Sequence, residues 1–202
     1  LMIKGQVIGG EFGKIIVRQK ADERLELGEL LVGDTEKGKV LLKVADLLYG
    51  SQLSPQNLEL ISGMSLEDST DITFLDPSLR NYKLAMLKNI LSLPTQGQPR
   101  RSKSLPTFFS SVRPVTKEDL SFITTPHSPF YLGKLRSGSK EMDFDIFLPG
   151  KDVFSHHVLI PASTGKGKSN MMSCILWDVA DKDYTGMLVL DPHDEYYGRN
   201  NL

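Results

Sequence analysis

Cysteine is almost absent from this chain of 202 residues, which contains only Cys174. A lone cysteine cannot form an internal disulfide, so the sequence excludes a disulfide-stabilised secreted scaffold and favours a cytoplasmic protein. Cys174 lies in the apolar stretch "MMSCILW". This setting predicts a buried structural thiol rather than a reactive one.

Long apolar runs and a strong charge of either sign are also missing. No apolar stretch approaches the roughly 20 residues of a membrane span, and the first residues lack the apolar core of a signal peptide. A net charge of −1 provides no whole-protein attraction to nucleic acid or acidic membrane, although a local basic site is still allowed. The hydrophobic content of 40% is ordinary for a soluble protein, and the length suits one large domain or two small ones.

The first part of the chain, residues 1–93, reads as a run of β-strands. The segments "GQVIGG" and "GKIIVRQ" are short β-branched runs, and "GELLVGDTEKGKVLLKVADLLYG" predicts a hairpin with Gly38 near its tip. Strands at this spacing predict a small barrel or a sandwich. Pro55 predicts a break, and "ITFLDP", residues 72–77, predicts a further short strand. The segment 82–93, "YKLAMLKNILSL", fits either a helix or a strand by its residues alone.

A change of composition follows at residues 94–128. Proline, glycine, serine and basic residues dominate "PTQGQPRRSKSLPTFFSSVRP", which predicts a linker or a long surface loop. Its "RRSK" stretch is either a solvated basic loop or a contact for a phosphate backbone. The stretch "TKEDL" has the pattern of a helix start, with Thr116 as the N-cap and Asp119 three residues later.

The last part, residues 129–202, changes character again. "FDIFLPG" and "HHVLIP" predict strands, a glycine loop follows, and a helix is expected from about Lys168 to Ala180. "GMLVLD" then predicts a buried strand. Strand, loop, helix and strand make a βαβ unit, and ligands bind such sheets at the carboxyl ends of their strands.

The stretch "ASTGKGKS", residues 162–169, has the spacing of a phosphate-binding loop. In the pattern G-x-x-x-x-G-K-[ST], Ala162 takes the first position, and Gly167, Lys168 and Ser169 take the last three. The loop's N–H groups and the start of the helix converge on an anion, while Lys168 reaches the β- and γ-phosphates and Ser169 suits Mg²⁺. The alternative is a helix start whose glycines serve packing alone. The residues predicted to bind the nucleotide are Ala162, Thr164, Gly165, Lys166, Gly167, Lys168, Ser169 and Asn170.

A second motif, "LVLDPHDEY", places two carboxylates after the following strand. Asp191 and Glu195 would then lie near the phosphates, where a carboxylate holds a metal-bound water or orients the attacking water. We therefore predict Lys168, Glu195 and Asp191 as catalytic residues, with Asp191 also a candidate Mg²⁺ ligand beside Ser169. The alternative is that Asp191 caps a turn and Glu195 is solvated.

These two motifs together resemble the HerA ATPases of the HerA–FtsK superfamily. That family's signatures are a P-loop ending in G-K-S-N and a strand ending in D-P-H-G-E-Y; here they read "GKGKSN" and "DPHDEY", with Asp194 in the place of the usual glycine. The stretches "IKGQVIGG" and "YLGKL" also look like landmarks of the family. The resemblance implies an amino-terminal HAS barrel followed by the start of a RecA-like P-loop α/β domain, and it favours a barrel strand at 82–93.

The resemblance implies a hexameric DNA translocase or helicase that uses ATP and Mg²⁺, acts on duplex DNA and works with a NurA-type nuclease in the processing of DNA ends. By the same resemblance, Lys168 and Ser169 are phosphate and Mg²⁺ ligands, and Glu195 activates water. A complete motor of this class needs further strands, so the chain is expected to be its amino-terminal portion. A second function stays open, in which the barrel is a non-catalytic module for oligomer assembly and partner docking.

Overall fold

The computed structural model describes residues 2–67, 81–95 and 97–196. The strands are β1 (Gly5–Glu11), β2 (Lys14–Gln19), β3 (Leu30–Thr35), β4 (Gly38–Ser51), β5 (Asn81–Pro94), β6 (Arg100–Arg101), β7 (Ser111–Pro114), β8 (Pro129–Ser137) and β9 (Lys140–Pro149). The helices are α1 (Pro55–Glu67), α2 (Gly150–Phe154) and α3 (Lys168–Ala180), with a 3-10 turn at Glu118–Leu120. The strand predicted at 72–77 lies outside the described residues.

The backbone divides into two compact units. The first contains Leu1–Phe122 together with the short segment Arg136–Lys140, and the second contains Ile123–Leu135 with Glu141–Leu202. The predicted three-part division at 1–93, 94–128 and 129–202 stays a prediction.

Six strands of the first unit close into a barrel. The sheet runs β2-β1-β7-β3-β4-β5, and β2 pairs with β5 to complete the ring, while β6 adds to β5 outside it. All the pairings are antiparallel. Irregular register in β1 and β4 lets these strands bend around the ring, because an extra residue increases the local twist. Closure gives each of the six ring strands a neighbouring strand on both sides.

The barrel core is built from the alternate residues of each strand, as the period of two requires. Its members are aliphatic and almost fully buried: Val7, Ile15, Val17, Leu25, Leu31, Val40, Leu42, Val44, Ala85, Leu87 and Val112. Burying one leucine or valine side chain contributes about 1.5–3 kcal/mol. The first unit therefore has a complete core of its own.

The predicted hairpin and the ambiguous segment 82–93 both resolve as barrel strands. β3 pairs with β4 from Leu30↔Lys43 to Thr35↔Gly38, so Gly38 lies at the hairpin tip as expected. β5 pairs with β2 on one side and with β4 on the other. Because a helix could not close the ring between these two strands, the pairing partners decide the conformation that periodicity left open.

Part of the segment with linker composition is built into the barrel. Residues 111–114 form β7 between β1 and β3, where Val112 is fully buried, and Val115 and Leu120 beyond it are nearly so. A four-residue strand gives too short an alternation to stand out among prolines and serines. The predicted helix start is only a 3-10 turn, and its N-cap is Lys117, with no side-chain cap, so the expectation of Thr116 as the N-cap was wrong. The Asp119 carboxylate does accept hydrogen bonds from both the N–H and the hydroxyl of Thr116.

Helix α1 follows β4 where Pro55 had predicted only a break. Ser54 acts as its N-cap: the Ser54 hydroxyl accepts from the Asn57 N–H at 3.4 Å and its carbonyl from the Leu58 N–H at 3.0 Å. Proline at the first helical position suits such a start, since its missing N–H would have no partner there. None of the helix's residues is buried.

The second unit contains most of the β8–β9 hairpin and the helices α2 and α3. Phe130 is buried and packs edge-on against Phe154 of α2, with ring centres 5.1 Å apart. The Asp178 carboxylate of α3 accepts a hydrogen bond from the Tyr131 N–H of β8 at 3.1 Å. Helix α3 has the bounds expected from the sequence.

The two strands expected on either side of α3 are not seen as strands. Neither 157–161 nor 186–191 is paired with another strand among the described residues. Their apolar side chains are exposed, including Leu159 at 86% and Leu188 at 87%. A parallel strand acquires its conformation from neighbours on both edges, and here the described residues supply none.

Cys174 on α3 is exposed, so the expectation of a buried thiol was wrong. Trp177 on the same helix is also largely exposed. The cause is the same as for the unpaired segments, because the apolar face of α3 has no sheet of described residues against it. None of the helices in the described ranges is long and apolar enough to cross a membrane.

Candidate functional site: a phosphate-binding loop

The loop before α3 turns at two glycines that lie in the left-handed region. Gly167 is the N-cap of α3 in the left-handed region, at φ 83° and ψ 18°, and Gly165 also has a positive φ of 77°. A side chain at either position would meet nothing within 4 Å, so the glycines are required by the backbone conformation and not by lack of space. The first turn of α3 closes with the Met171 N–H donating to the Gly167 carbonyl at 2.9 Å.

Ala162 occupies the place of the first glycine in the pattern without strain. Among the described residues, the non-glycine residues with positive φ are Phe109, Ser128 and Asp194, and Ala162 is not one of them. The methyl group therefore sits in an ordinary backbone conformation. The departure from the pattern at this position leaves the loop intact.

The tip of the loop faces solvent. Residues 161–168 are all exposed, which includes Thr164 and Lys166. Lys168, the first residue of α3, forms no ion pair with any other described residue, so its ammonium group is available to an anion at the helix start. The free N–H groups and positive dipole end of a 13-residue helix point at the same place. Asn170 is exposed on the first turn of α3.

Ser169 and Glu195 are in direct contact although 26 residues separate them in the sequence. The Ser169 hydroxyl donates a hydrogen bond to Oε2 of Glu195. This contact brings the loop and the "DPHDEY" motif to one point. A hydroxyl and a carboxylate side by side are hard oxygen donors of the type that Mg²⁺ prefers.

Asp191 is held within its own turn. Its Oδ2 accepts from the Tyr196 N–H at 2.8 Å, and its carbonyl accepts from the Asp194 N–H at 3.4 Å. The hydrogen bond from the Tyr196 N–H lowers the pKa of the Asp191 carboxyl below its ordinary value. Asp191 therefore stabilises the turn that presents Glu195, as its alternative role predicted.

Asp194 adopts a conformation that suits glycine. Its φ is 52°, in the left-handed region that L-residues rarely adopt. Aspartate is among the residues that tolerate this region best. The backbone of the motif is thus kept, while a negative charge is added next to Glu195.

The structure brings together Lys168, Ser169 and Glu195 at the start of α3, with Asp191 supporting the turn beside them. Among the described residues, no group of three or more histidine, cysteine, aspartate or glutamate side chains is placed to hold a metal ion.

Two supporting residues were not predicted from the sequence. The Ser173 hydroxyl donates to the Ser169 carbonyl at 3.0 Å, and Asp178 fixes α3 to β8 through the Tyr131 N–H. Their signal is weak, since a serine or an aspartate in the middle of a helix is usually a solvated residue.

Comparison with known proteins agrees with the motifs. Residues 130–201 match the family model described as the central domain of helicase HerA. A probable helicase of Methanocaldococcus jannaschii is 26% identical over 198 residues, which cover 95% of this chain and 36% of that protein. An uncharacterized protein of Aquifex aeolicus is 36% identical over 56 residues, which cover 27% of this chain and 21% of that protein. The chain spans about a third of the length of the first of these relatives.

These matches confirm the resemblance that the two motifs indicated. Together with the closed barrel, they also confirm the predicted fold class, a small barrel followed by an α/β domain.

Proposed function

We propose that this chain, whose residues 130–201 match the family model of the HerA central domain, binds ATP and Mg²⁺ at the loop 162–170 as part of a DNA-translocating ATPase. The observation that carries the proposal is the contact between Ser169 and Glu195. This contact joins the phosphate-binding loop to the "DPHDEY" motif. The two motifs take part in the same reaction only if the site binds a nucleotide. If the glycines of the loop served packing alone, the contact of the Glu195 carboxylate with the Ser169 hydroxyl would have no explanation.

The phosphates are bound by the backbone and by Lys168. The N–H groups at the start of α3 and in the glycine loop point at the β-phosphate, and the unpaired Lys168 ammonium group neutralises charge on the β- and γ-phosphates. Gly165 and Gly167 supply the positive φ values that turn the loop around the anion. Thr164 and Lys166, at the exposed tip, contribute their backbone more than their side chains.

The residues that would hold Mg²⁺ are Ser169 and Asp191. Ser169 offers its hydroxyl at the helix start, and Asp191 offers a carboxylate in the turn that presents Glu195. When bound, Mg²⁺ supplies positive charge at the β- and γ-phosphate oxygens. Glu195 is the residue that orients the attacking water, because its carboxylate is the one that reaches the loop.

DNA as substrate is supported by the relative from Methanocaldococcus jannaschii, whose name describes a probable helicase and whose match covers almost all of this chain. A hexameric assembly, a NurA-type nuclease partner and a cytoplasmic location follow from the resemblance to the HerA family.

A second function is favoured by one observation, the completeness of the barrel. The first unit has a closed ring and its own buried core, whereas the segments that flank α3 are unpaired in the described residues. The chain would then act as a module for assembly and partner docking, without turnover of its own. It predicts that the chain associates with itself or with the nuclease in the absence of nucleotide.

ATP hydrolysis by the full-length protein, measured with and without duplex DNA, tests the proposal. We expect the rate to rise several-fold when duplex DNA is added, because a translocase couples ATP hydrolysis to movement along DNA. If ATP is hydrolysed at the same rate with and without DNA, the protein is an ATPase but the proposal of a DNA translocase is contradicted. Absence of turnover under both conditions, with self-association of the barrel intact, would favour the docking module.

Replacing Asp194 with glycine should tighten nucleotide binding. A unit charge about 10 Å from another contributes roughly 0.4 kcal/mol in water, so removing one carboxylate beside several phosphate charges should lower the Kd for ATP about threefold. Asp194→Asn is the matched variant, because it removes the charge and still tolerates the left-handed conformation. Equal gains in both variants identify the charge as the cause, and a gain confined to glycine would identify the backbone. An unchanged Kd in both would show that Asp194 lies away from the phosphates.

A further inference from the structure

A concave groove of about 700 Å³ opens at one rim of the barrel, in the first unit. It is formed where β1 and β5 begin and where β2 and β4 end, together with the loop that follows β2. None of the residues proposed to bind nucleotide lines it. Its volume lies in the range of about 300–1,000 Å³ that is usual for ligand sites.

The groove is lined by an excess of positive charge. Four cationic side chains line it, and they are Arg18, Lys20, Arg24 and Lys83. None of the four forms an ion pair with another described residue. Two acidic residues, Asp22 and Glu23, also line it, so the lining has four cationic side chains against two carboxylates. The net excess makes the groove an anion site in a chain whose overall charge is near zero.

Arg18 is held in place before any ligand arrives. Its guanidinium carbon lies 4.2 Å from the centre of the Tyr82 ring, in a cation–π contact. The Tyr82 ring in turn lies against the backbone at Gly50, where a side chain would collide with the ring. A guanidinium group that stacks on a ring through its face still has its N–H groups free along its edge. These N–H groups can donate to a phosphate.

The loop that carries Lys20 and Arg24 is also fixed. The Lys4 ammonium group donates to the Arg24 carbonyl at 2.6 Å and also pairs with Glu29 at 3.6 Å. The Lys20 N–H donates to the Lys4 carbonyl at 2.9 Å. This tethering lowers the entropy lost when the loop's cations bind a ligand.

Tyr49 adds an aromatic surface to the same groove. Its side chain is 92% exposed, and it lies opposite Lys83 in the β4–β5 pairing. An exposed ring in the same groove as several cations is a combination that binds single-stranded nucleic acid, since bases stack on the ring and phosphates contact the cations. A different small barrel, the partly open OB-fold, also binds oligonucleotides through a strand face and loops.

We propose that this groove is a binding site for single-stranded nucleic acid, with the phosphate backbone on Arg18, Lys20, Arg24 and Lys83 and a base stacked on Tyr49. The site is separate from the phosphate-binding loop and does not depend on ATP. In a protein that moves along DNA, it would hold a strand outside the motor domain.

The test is fluorescence anisotropy of a labelled oligothymidylate of roughly 15 nucleotides, within the ~4–16 that a small barrel covers. We expect the double variant Arg18→Gln/Lys83→Gln to raise the Kd at least about tenfold at low salt and to reduce the salt slope by about 0.7 for each cation removed. Tyr49→Ala should raise the Kd about five- to tenfold, while Tyr49→Phe should retain binding.

The matched control is Lys14→Gln/Lys37→Gln, which removes two exposed cations at the opposite rim, where β2 and β4 begin. The proposal requires this variant and Lys168→Ala to bind the strand like the parent protein, and circular dichroism confirms that each variant is folded. A Kd unchanged by Arg18→Gln/Lys83→Gln, or a loss as large in the control, would overturn it. If free dTMP competed as strongly as unlabelled oligothymidylate at the same concentration of nucleotides, the assignment of the groove to a nucleic-acid strand would also be overturned. Loss of ATP turnover in Lys168→Ala with strand binding kept distinguishes this site from the ATPase site.

Discussion

Replacing Lys168 with alanine should lower ATP turnover by at least about 100-fold, since a single charged or hydrogen-bonding contact to a developing phosphate charge contributes about 2.7–4 kcal/mol at the transition state. Lys168 is the cation that lies at the start of α3 without an ion-pair partner among the described residues. Its removal leaves the loop's backbone in place and deletes the charge that neutralises the β- and γ-phosphates. The rate is measured as phosphate release at saturating ATP.

The matched control is Lys166→Ala, two residues earlier in the same loop. Lys166 is also an exposed lysine, and its N–H closes a turn with the Ser163 carbonyl, a bond that the substitution preserves. We expect turnover in this variant to stay within about twofold of the parent protein, as for most surface substitutions. An equal loss in both variants would mean that the loop responds to total charge and not to a specific lysine.

A second comparison separates binding from chemistry. Glu195→Gln keeps the hydrogen bond with the Ser169 hydroxyl and removes the carboxylate, so it should bind ATP and fail to turn it over. Lys168→Ala should weaken binding as well as turnover. If Glu195→Gln hydrolysed ATP at the parent rate, Glu195 would be a loop support, and the water-orienting role would pass to Asp191 or to another residue.

The sequence predicted the helix of the site well because the determinants are local. Gly167 can take the left-handed N-cap, Lys168 begins the helix, and a stretch without glycine or proline follows as far as Ala180. The same is true of the β3–β4 hairpin, where Gly38 permits the turn. Conformations that a few neighbouring residues determine can be inferred from those residues alone.

The remaining elements depend on distant partners. Segment 82–93 is a strand because β2 and β4 both pair with it, and β7 is a strand because β1 and β3 accept it. The contact between Ser169 and Glu195 could be expected only from the combination of two motifs, since no spacing rule joins residues 26 apart. The rim groove was not predicted at all, because its cations come from two strands and a loop whose proximity only the closed barrel creates.

The segments that flank α3 were predicted as strands, but they are not paired with another strand among the described residues. Their apolar character predicted strands, but an apolar sequence forms a buried parallel strand only when other strands and helices cover it. In the described residues Leu159 and Leu188 lack such cover. The exposure of Cys174 and Trp177 has the same origin. Composition indicates what a segment can bury, and the partners decide whether it does so.

Asp119→Asn should destabilise the barrel unit by about 3 kcal/mol and lower its melting temperature by roughly 10 °C. The Asp119 side chain is only 4% exposed and accepts two hydrogen bonds from Arg113, at 2.6 and 2.8 Å. It also accepts from the N–H and the hydroxyl of Thr116, each at 2.9 Å. These contacts tie the 3-10 turn to β7. Removing the charge leaves a nearly buried guanidinium group without its counter-ion.

The pH dependence of stability gives a second measurement of the same contact. Burial alone would raise the pKa of the Asp119 carboxyl, but the hydrogen bonds from Arg113 and Thr116 outweigh it and hold the pKa well below its ordinary value. A pKa that is lower in the folded state favours folding of the ionised form. The contribution of ionised Asp119 to the free energy of unfolding is therefore complete above about pH 5. It is lost as the pH falls below about 4 towards the folded-state pKa. Asp119→Asn should lack this part of the acid sensitivity.

Glu118→Gln is the control for this prediction, because Glu118 is the neighbouring carboxylate and is exposed. We expect it to leave the melting temperature almost unchanged, whereas Asp119→Asn lowers it. The double variant Arg113→Met/Asp119→Asn should lose less stability than the sum of its two single variants, since it also removes the unpaired guanidinium group. Additive losses, measured by denaturant titration, would show that Arg113 and Asp119 act independently. The paired geometry of Arg113 and Asp119 at the end of β7 would then contribute nothing to holding the turn in place.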